Sequence, residues 1–509
     1  MNSNDYINLY GVFRQLNSDI LSKYNKEENS LKFYDFYLFH MTSLSCGIIY
    51  ELLQNPSRIS ASQLFFARSL IEDIAVLRMY DNFDEGKNSE YLLKGFNFMC
   101  EKDLYNKFKE LDGKYFDLSE INKNYEDYIE DFKNVLKEDM NEKGIKKVLD
   151  NRNLAFLEEN YNYLDLIENY ANEYLVEYKN LSVVCHISDI QLSDEYINSD
   201  DSLNLIDRLL KDVFDEVYKY YGDILKISKE NTFEYESSLL GISTDNINPF
   251  LNSTSNEVKN LYLLVNDMSL NFSKFSNEDY LPALFFARLG SEIEALSYDF
   301  CYGFSENAKV RMKPIFELIS TYHFINKHVN SKDDYWKLKI MKKHFELNIA
   351  KNQKELSEEE FNNLGYVNFT YDEFKQISKK SIISYLGYKS INDFVYEMID
   401  DYIKDNEQNS IYKLIYAESQ YFSHGNGYSL TSNTGSFKDI DSCIDIVDNL
   451  LLCSLGEYYQ KEMINSLFGP EIFKDNCNLA IKYLKILKEI IDNKKIVREK
   501  IKFNKIEKQ

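Results

Sequence analysis

The chain has 509 residues, 44% of them hydrophobic, and a formal net charge of −24. That length exceeds one ordinary core and that apolar share excludes a disordered chain, so more than one domain is expected. The acidic balance opposes long-range attraction to nucleic acid without excluding a local basic groove, and 17 Gly with 5 Pro are too few for the many turns of an all-β fold.

Abundant Asn, Lys, Ile, Tyr and Asp beside scarce Ala read as the codon bias of an AT-rich bacterial genome. Residues 1–39 are expected to form an N-terminal flanking helix. Met1–Asn8 has neither a basic start nor an apolar run, so no signal peptide is expected. No run of 18 apolar residues marks a membrane span. The seven cysteines, at 46, 100, 185, 301, 443, 453 and 477, are scattered and form no CxxC. Reduced core thiols in a cytoplasmic protein are the expectation.

A first helical-bundle unit is expected over 40–225. Apolar residues recur at helical spacing through Leu64–Leu77, with Ser62 placed to cap the helix. Arg68 and Glu72, four apart, share a face with Leu64, Phe65, Ala75 and Met79, while Ser62, Ser69 and Asp73 point elsewhere. An ion pair inside the bundle follows. A buried pair often stabilises no more than apolar residues would, so its use points to fixing the bundle or forming a site. Further on, Tyr178 and His186 return to nearly one helix face. Ser188-Asp189 then ends the helix, and a histidine at a helix C-terminus has its cationic form stabilised by the dipole. Such a histidine can act as a general acid or phosphate contact, or simply cap the helix. Leu203–Tyr221 reads as an amphipathic helix.

Residues 226–257 are the expected linker, with Gly241, Pro249 and many Ser, Thr and Asn residues within 231–255. A second unit is expected over 258–465. Leu64-Phe65-Phe66-Ala67-Arg68 recurs there as Leu284-Phe285-Phe286-Ala287-Arg288, and Glu72 matches Glu292, at an offset of 220. Tyr178 and His186 match Tyr416 and His424 at 238, and Tyr218 matches Tyr458 at 240. A collinear series of this kind implies an internal duplication. Pro282 suits the first turn of the second LFFAR helix, and Gly425 follows His424 as a helix stop. Segment 330–410 has no counterpart and reads as a charged insertion. Residues 466–509 read as a C-terminal basic helix whose lysines, Lys494 among them, form a solvated face.

An apolar helix with Arg-x-x-x-Glu, followed by a later helix ending in Tyr…Ser…His, resembles an uncharacterised bacterial all-helical family distantly similar to the HEPN (higher eukaryote and prokaryote nucleotide-binding) bundles. The resemblance covers each unit. It implies paired bundles, RNA or nucleotide as partner, and a defence or toxin setting. Ribonuclease members carry Arg-x(4–6)-His on one helix. Here no arginine lies within seven residues before any of the six histidines, and Asn180 and Glu418 stand six before His186 and His424. Cleavage would therefore need Arg68 or Arg288 to reach a histidine from another helix.

No GxxxxGK[ST], GxGxxG or HExxH occurs, and the His323/His328 pair reads as a surface feature rather than a metal site. No cofactor is implied. The expected fold is all-α, as two tandem homologous bundles in a pseudo-twofold relation. The candidate catalytic residues are Arg68, Glu72, His186, Arg288, Glu292 and His424. The competing expectation is a non-catalytic scaffold or regulatory module that binds another protein, with these residues purely structural.

Overall fold

The computed structural model describes residues 1, 3–26, 32–54, 61–81, 119–136, 141–150, 163–184, 200–225, 260–271, 281–302, 305–328, 357–363, 386–422, 437–468 and 472–506, with isolated positions in 94–105 and 370–375. Among these residues every regular element is helical and no strand occurs. The all-α expectation holds. The linker 226–257, His186, His424 and most of 330–390 lie outside the described residues.

The first core gathers α1 (Ser3–Lys26), α2 (Phe33–Gln54), α3 (Ala61–Asp81), α4 (Ser119–Leu136), α5 (Glu142–Asp150), α6 (Tyr163–Tyr170), α7 (Leu175–Val184) and α8 (Asp200–Leu225). α3 is its hub. It packs against α2, α6, α7 and α8. A helix apolar on all sides belongs in the middle of a bundle, and Leu64, Phe66, Leu70, Ile71, Ile74 and Leu77 lose all contact with water. The polar stripe expected to point elsewhere is buried as well: Ser62, Ser69 and Asp73 are wholly enclosed. α8 is amphipathic in the ordinary way, burying Leu205, Leu209, Val213 and Val217 at helical spacing.

The second core gathers α9 (260–271), α10 (Leu281–Tyr302), α11 (Ser305–His328), α12 (Ile391–Tyr402), α13 (Asn406–Phe422), α14 (Phe437–Phe468) and α15 (Ile472–Ile506). Its hub is α11, which packs against α10, α12, α13 and α14. α12 is built by local signals. Gly387 takes a positive φ of 98°, the backbone region that favours glycine. The Ser390 hydroxyl then caps the helix by accepting from the Asp393 N–H at 3.1 Å.

Three expected boundaries are corrected. α1 is no flank, because Leu9, Phe13, Leu16 and Ile20 are buried in the first core, and the boundary at residue 40 falls inside α2. The end of the expected insertion is a core element, since α12 buries Phe394, Val395, Met398 and Ile399. The basic C-terminal helix is also a core element. α15 packs along α14 and buries Tyr483 and Leu487. Its Lys494 is enclosed between Asp448 and Asp445, the latter at 3.0 Å. Sequence charge alone does not reveal that a lysine stem will lie along a neighbouring helix.

Among the described residues one helical stretch, Phe33–Leu53 of α2, is long and apolar enough to cross a membrane, and 89% of it is buried inside the protein. It lies between α1, α3 and α8 on one side and α10 and α11 on the other. The two bundles meet along this seam, with α2 and α3 against α10 and α11. The approach is close at Gly47, where a methyl group would collide with the Asn307 side-chain amide. That same amide donates to the Ser43 carbonyl at 3.3 Å. Gly47→Val should therefore push α2 from α11 and cost about 1–3 kcal/mol, read as a lower midpoint in urea unfolding. An unchanged midpoint would show that the bundles do not meet here.

Candidate functional site

The hub helices bring polar side chains to the seam. On α3, Arg68 Nε lies 3.4 Å from Glu72 Oε1, and both side chains are buried. The Tyr178 hydroxyl on α7 donates to Glu72 at 2.7 Å, and the Arg68 guanidinium stands 5.4 Å from the centre of the Tyr178 ring. The expected internal ion pair is present, and α7 supplies a tyrosine to it. Beside it, Asp73 meets His40 of α2 at 2.6 Å. Burial pushes the Asp73 carboxyl up to about 6, against the pull of His40.

Across the seam, α11 presents Lys313 and Glu317, both buried. Lys313 Nζ lies 5.2 Å from the ring centre of Phe65 in the first bundle. The Tyr416 hydroxyl on α13 donates to Glu317 at 3.2 Å. Burial pushes the Glu317 carboxyl up to about 7, opposed by Lys313, by the Tyr416 hydrogen bond and by the Arg68 charge from the other bundle.

Arg288 and Glu292 take a different course. Both are buried on α10. Glu292 accepts from the Ser62 hydroxyl and from the Ser62 N–H at 3.3 Å. Ser62 thus does not cap α3 with its own side chain; it ties α3 to α10. Farther along the seam Arg311, fully enclosed, is clamped by Glu51 of α2 and Asp299 of α10. Its guanidinium lies 4.7 Å from the ring centre of Phe66. Sequence reasoning missed this clamp, the His40–Asp73 contact and the Lys313–Glu317 pair. Only the last had a signal: lysine and glutamate four apart, the spacing of Arg68 and Glu72.

His323 is not a surface residue. Its Nδ1 lies 3.0 Å from Glu457 and its Nε2 3.0 Å from Asp401. His328 is about one-third exposed and faces Glu397 at 3.5 Å. No group of three or more metal-ligating side chains occurs among the described residues. Cys46, Cys443, Cys453 and Cys477 are free thiols, and burial pushes Cys46 up to about 12.

Of the six candidate residues, the structure brings Arg68 and Glu72 together and places Arg288 and Glu292 on the facing helix. His186 and His424 lie outside the described residues, two positions past the ends of α7 and α13. Chemically, a carboxyl near neutrality beside a guanidinium and an ammonium can pass a proton, and the two cations suit an anion. The cluster is closed as it stands, with Arg68 7% and Glu72 0% exposed. No family model, curated protein or solved structure matches this chain.

The shift at Glu317 has a signed consequence. A carboxyl raised from 4.5 to about 7 stabilises the fold fully below pH 4.5 and loses that contribution as the pH rises through about 7. The contribution is about 3 kcal/mol. In urea unfolding between pH 4.5 and 8, wild type should lose more stability than Glu317→Gln. Parallel pH profiles for the two proteins would refute this.

Proposed function

We propose that this chain is a bacterial HEPN-like protein of two tandem, pseudo-twofold-related bundles, which binds RNA or a nucleotide in a defence or toxin setting. The observation that carries the reading is the approach of the two hubs at the seam: Lys313 lies 5.2 Å from the ring centre of Phe65, on the helix that carries Arg68, while Tyr178 and Tyr416 donate to Glu72 and Glu317. Phosphate recognition calls for such charge, fixed before the ligand arrives. In this reading Arg68 meets phosphate charge and Glu72 orients it, while Arg288 and Glu292, expected in the same roles, lie on α10, where Glu292 meets Ser62. His186 and His424 serve as acid and base, since each belongs to the segment leaving the helix that carries Tyr178 or Tyr416. The proposal places the protein in the cytoplasm, where free thiols stay reduced.

A second reading has its own support. The near-complete closure of Arg68 and Glu72 suits a scaffold in which they hold the bundles together and another protein is the partner. Incubation with single-stranded RNA separates the two. Wild type should cleave, and His186→Ala or His424→Ala should each reduce the rate by about a hundredfold or more, the usual worth of a positioned acid or base. Equal cleavage by all three proteins, or none by any, removes the nuclease reading in favour of the scaffold.

A further inference from the structure

The two hubs invite comparison by what surrounds them. α3 packs against α2, α6, α7 and α8; α11 packs against α10, α12, α13 and α14. Matched in chain order, these neighbours pair α2 with α10, α3 with α11, α7 with α13 and α8 with α14. The pentapeptide repeat would instead pair α3 with α10. Yet α10 packs against α11, α2 and α3 and makes no extended contact with α13, the helix that carries Tyr416.

Residue positions agree with the hub pairing. A single offset of 245 along the hubs carries Arg68 to Lys313 and Glu72 to Glu317. The same offset carries Leu70, Ile71, Ile74 and Leu77 to Ile315, Phe316, Ile319 and Tyr322, all enclosed. It also carries Arg78 to His323. Each of these reaches carboxylates on the neighbouring helices, Arg78 to Asp212 at 2.8 Å and His323 to Glu457 at 3.0 Å. Finally, it carries Phe66 to Arg311, and these two pack on each other across the seam. Residues related by a twofold axis and lying on it must touch, and Arg311 is held from both sides by Glu51 and Asp299, which occupy matching places near the ends of α2 and α10.

We infer that the seam holds two equivalent half-sites, Arg68–Glu72–Tyr178 and Lys313–Glu317–Tyr416, which together take a phosphate-bearing ligand. Lys313 and Glu317, rather than Arg288 and Glu292, are the second bundle's share. In each half-site a tyrosine from the equivalent helix donates to the hub glutamate, at 2.7 Å and 3.2 Å. The halves face one another across the packed hubs: Lys313 Nζ lies 5.2 Å from the ring centre of Phe65, three positions before Arg68 on α3, and the Arg68 charge reaches Glu317. One half presents a planar guanidinium and the other a point-charge ammonium, so the pair would grip a phosphodiester asymmetrically. The ligand class rests on the function proposed above; the equivalence of the half-sites does not.

The full-length protein tests both parts. In urea unfolding, Arg68→Met, Glu317→Gln and the double variant form a cycle. Facing half-sites predict that the single effects on the unfolding constant fail to combine by about fivefold or more; independent effects overturn the assignment. In parallel, binding of a fluorescein-labelled single-stranded oligouridylate is followed by anisotropy over a range of salt. Arg68→Met and Lys313→Met should each weaken binding about tenfold and lower the salt slope by about one, and Lys313→Arg should restore both. A larger loss for Arg288→Met than for Lys313→Met overturns the inference. Coupling in the cycle with no binding by wild type supports the half-sites and overturns the phosphate ligand and the function proposed above.

Discussion

Charge that leaves water must find opposite charge, and this constraint fixes how the two bundles meet. Arg311 is enclosed, and an unpaired buried guanidinium would cost several kcal/mol. It is satisfied by Glu51 from the first bundle and Asp299 from the second. One relative placement of α2, α10 and α11 meets both demands. Apolar packing on either side of the clamp supplies area but little direction, because a sliding helix keeps most of its buried surface. Ser62 with Glu292, and Asn307 with Ser43, add direction in the same way.

The hub helices show why such a seam can also hold a site. Each hub is surrounded on all sides, so any polar residue on it must be paired at once or expelled. The pairs that remain are those with a partner on the next helix: Glu72 with Tyr178, Glu317 with Tyr416, Asp73 with His40. A ligand entering this cluster would compete with internal carboxylates for the cations. Glu317 is where that competition is easiest, because burial already weakens the hold of its negative charge. The chemistry proposed for the seam and the closure that favours a scaffold thus arise from one arrangement.

Several features were legible beforehand because they are local. Helical spacing placed α3 and α8, and the apolar face around Arg68 and Glu72 placed that pair inside. The reading failed where a residue's fate depended on a partner far along the chain. Ser62 looked like a helix cap, yet its oxygen meets a glutamate on the facing bundle. Lys494 looked like part of a solvated basic face, yet two aspartates on α14 enclose it. The LFFAR repeat drew attention to α10, while the lysine that packs on Phe65 of that repeat, Lys313, lies one helix later, on α11. His323, thought a surface residue, bridges two helices through both ring nitrogens.

The sequence by itself determined that this chain is built of helices, which faces of them are apolar, and that charges four apart share a face. Those properties follow from periodicity, which is written into neighbouring residues. Tertiary structure alone decided which charges pair, which helix becomes a hub and which lysine is buried. Those outcomes depend on the meeting of side chains separated by as many as 260 positions, as for Arg311 and Glu51, and no local pattern carries that information.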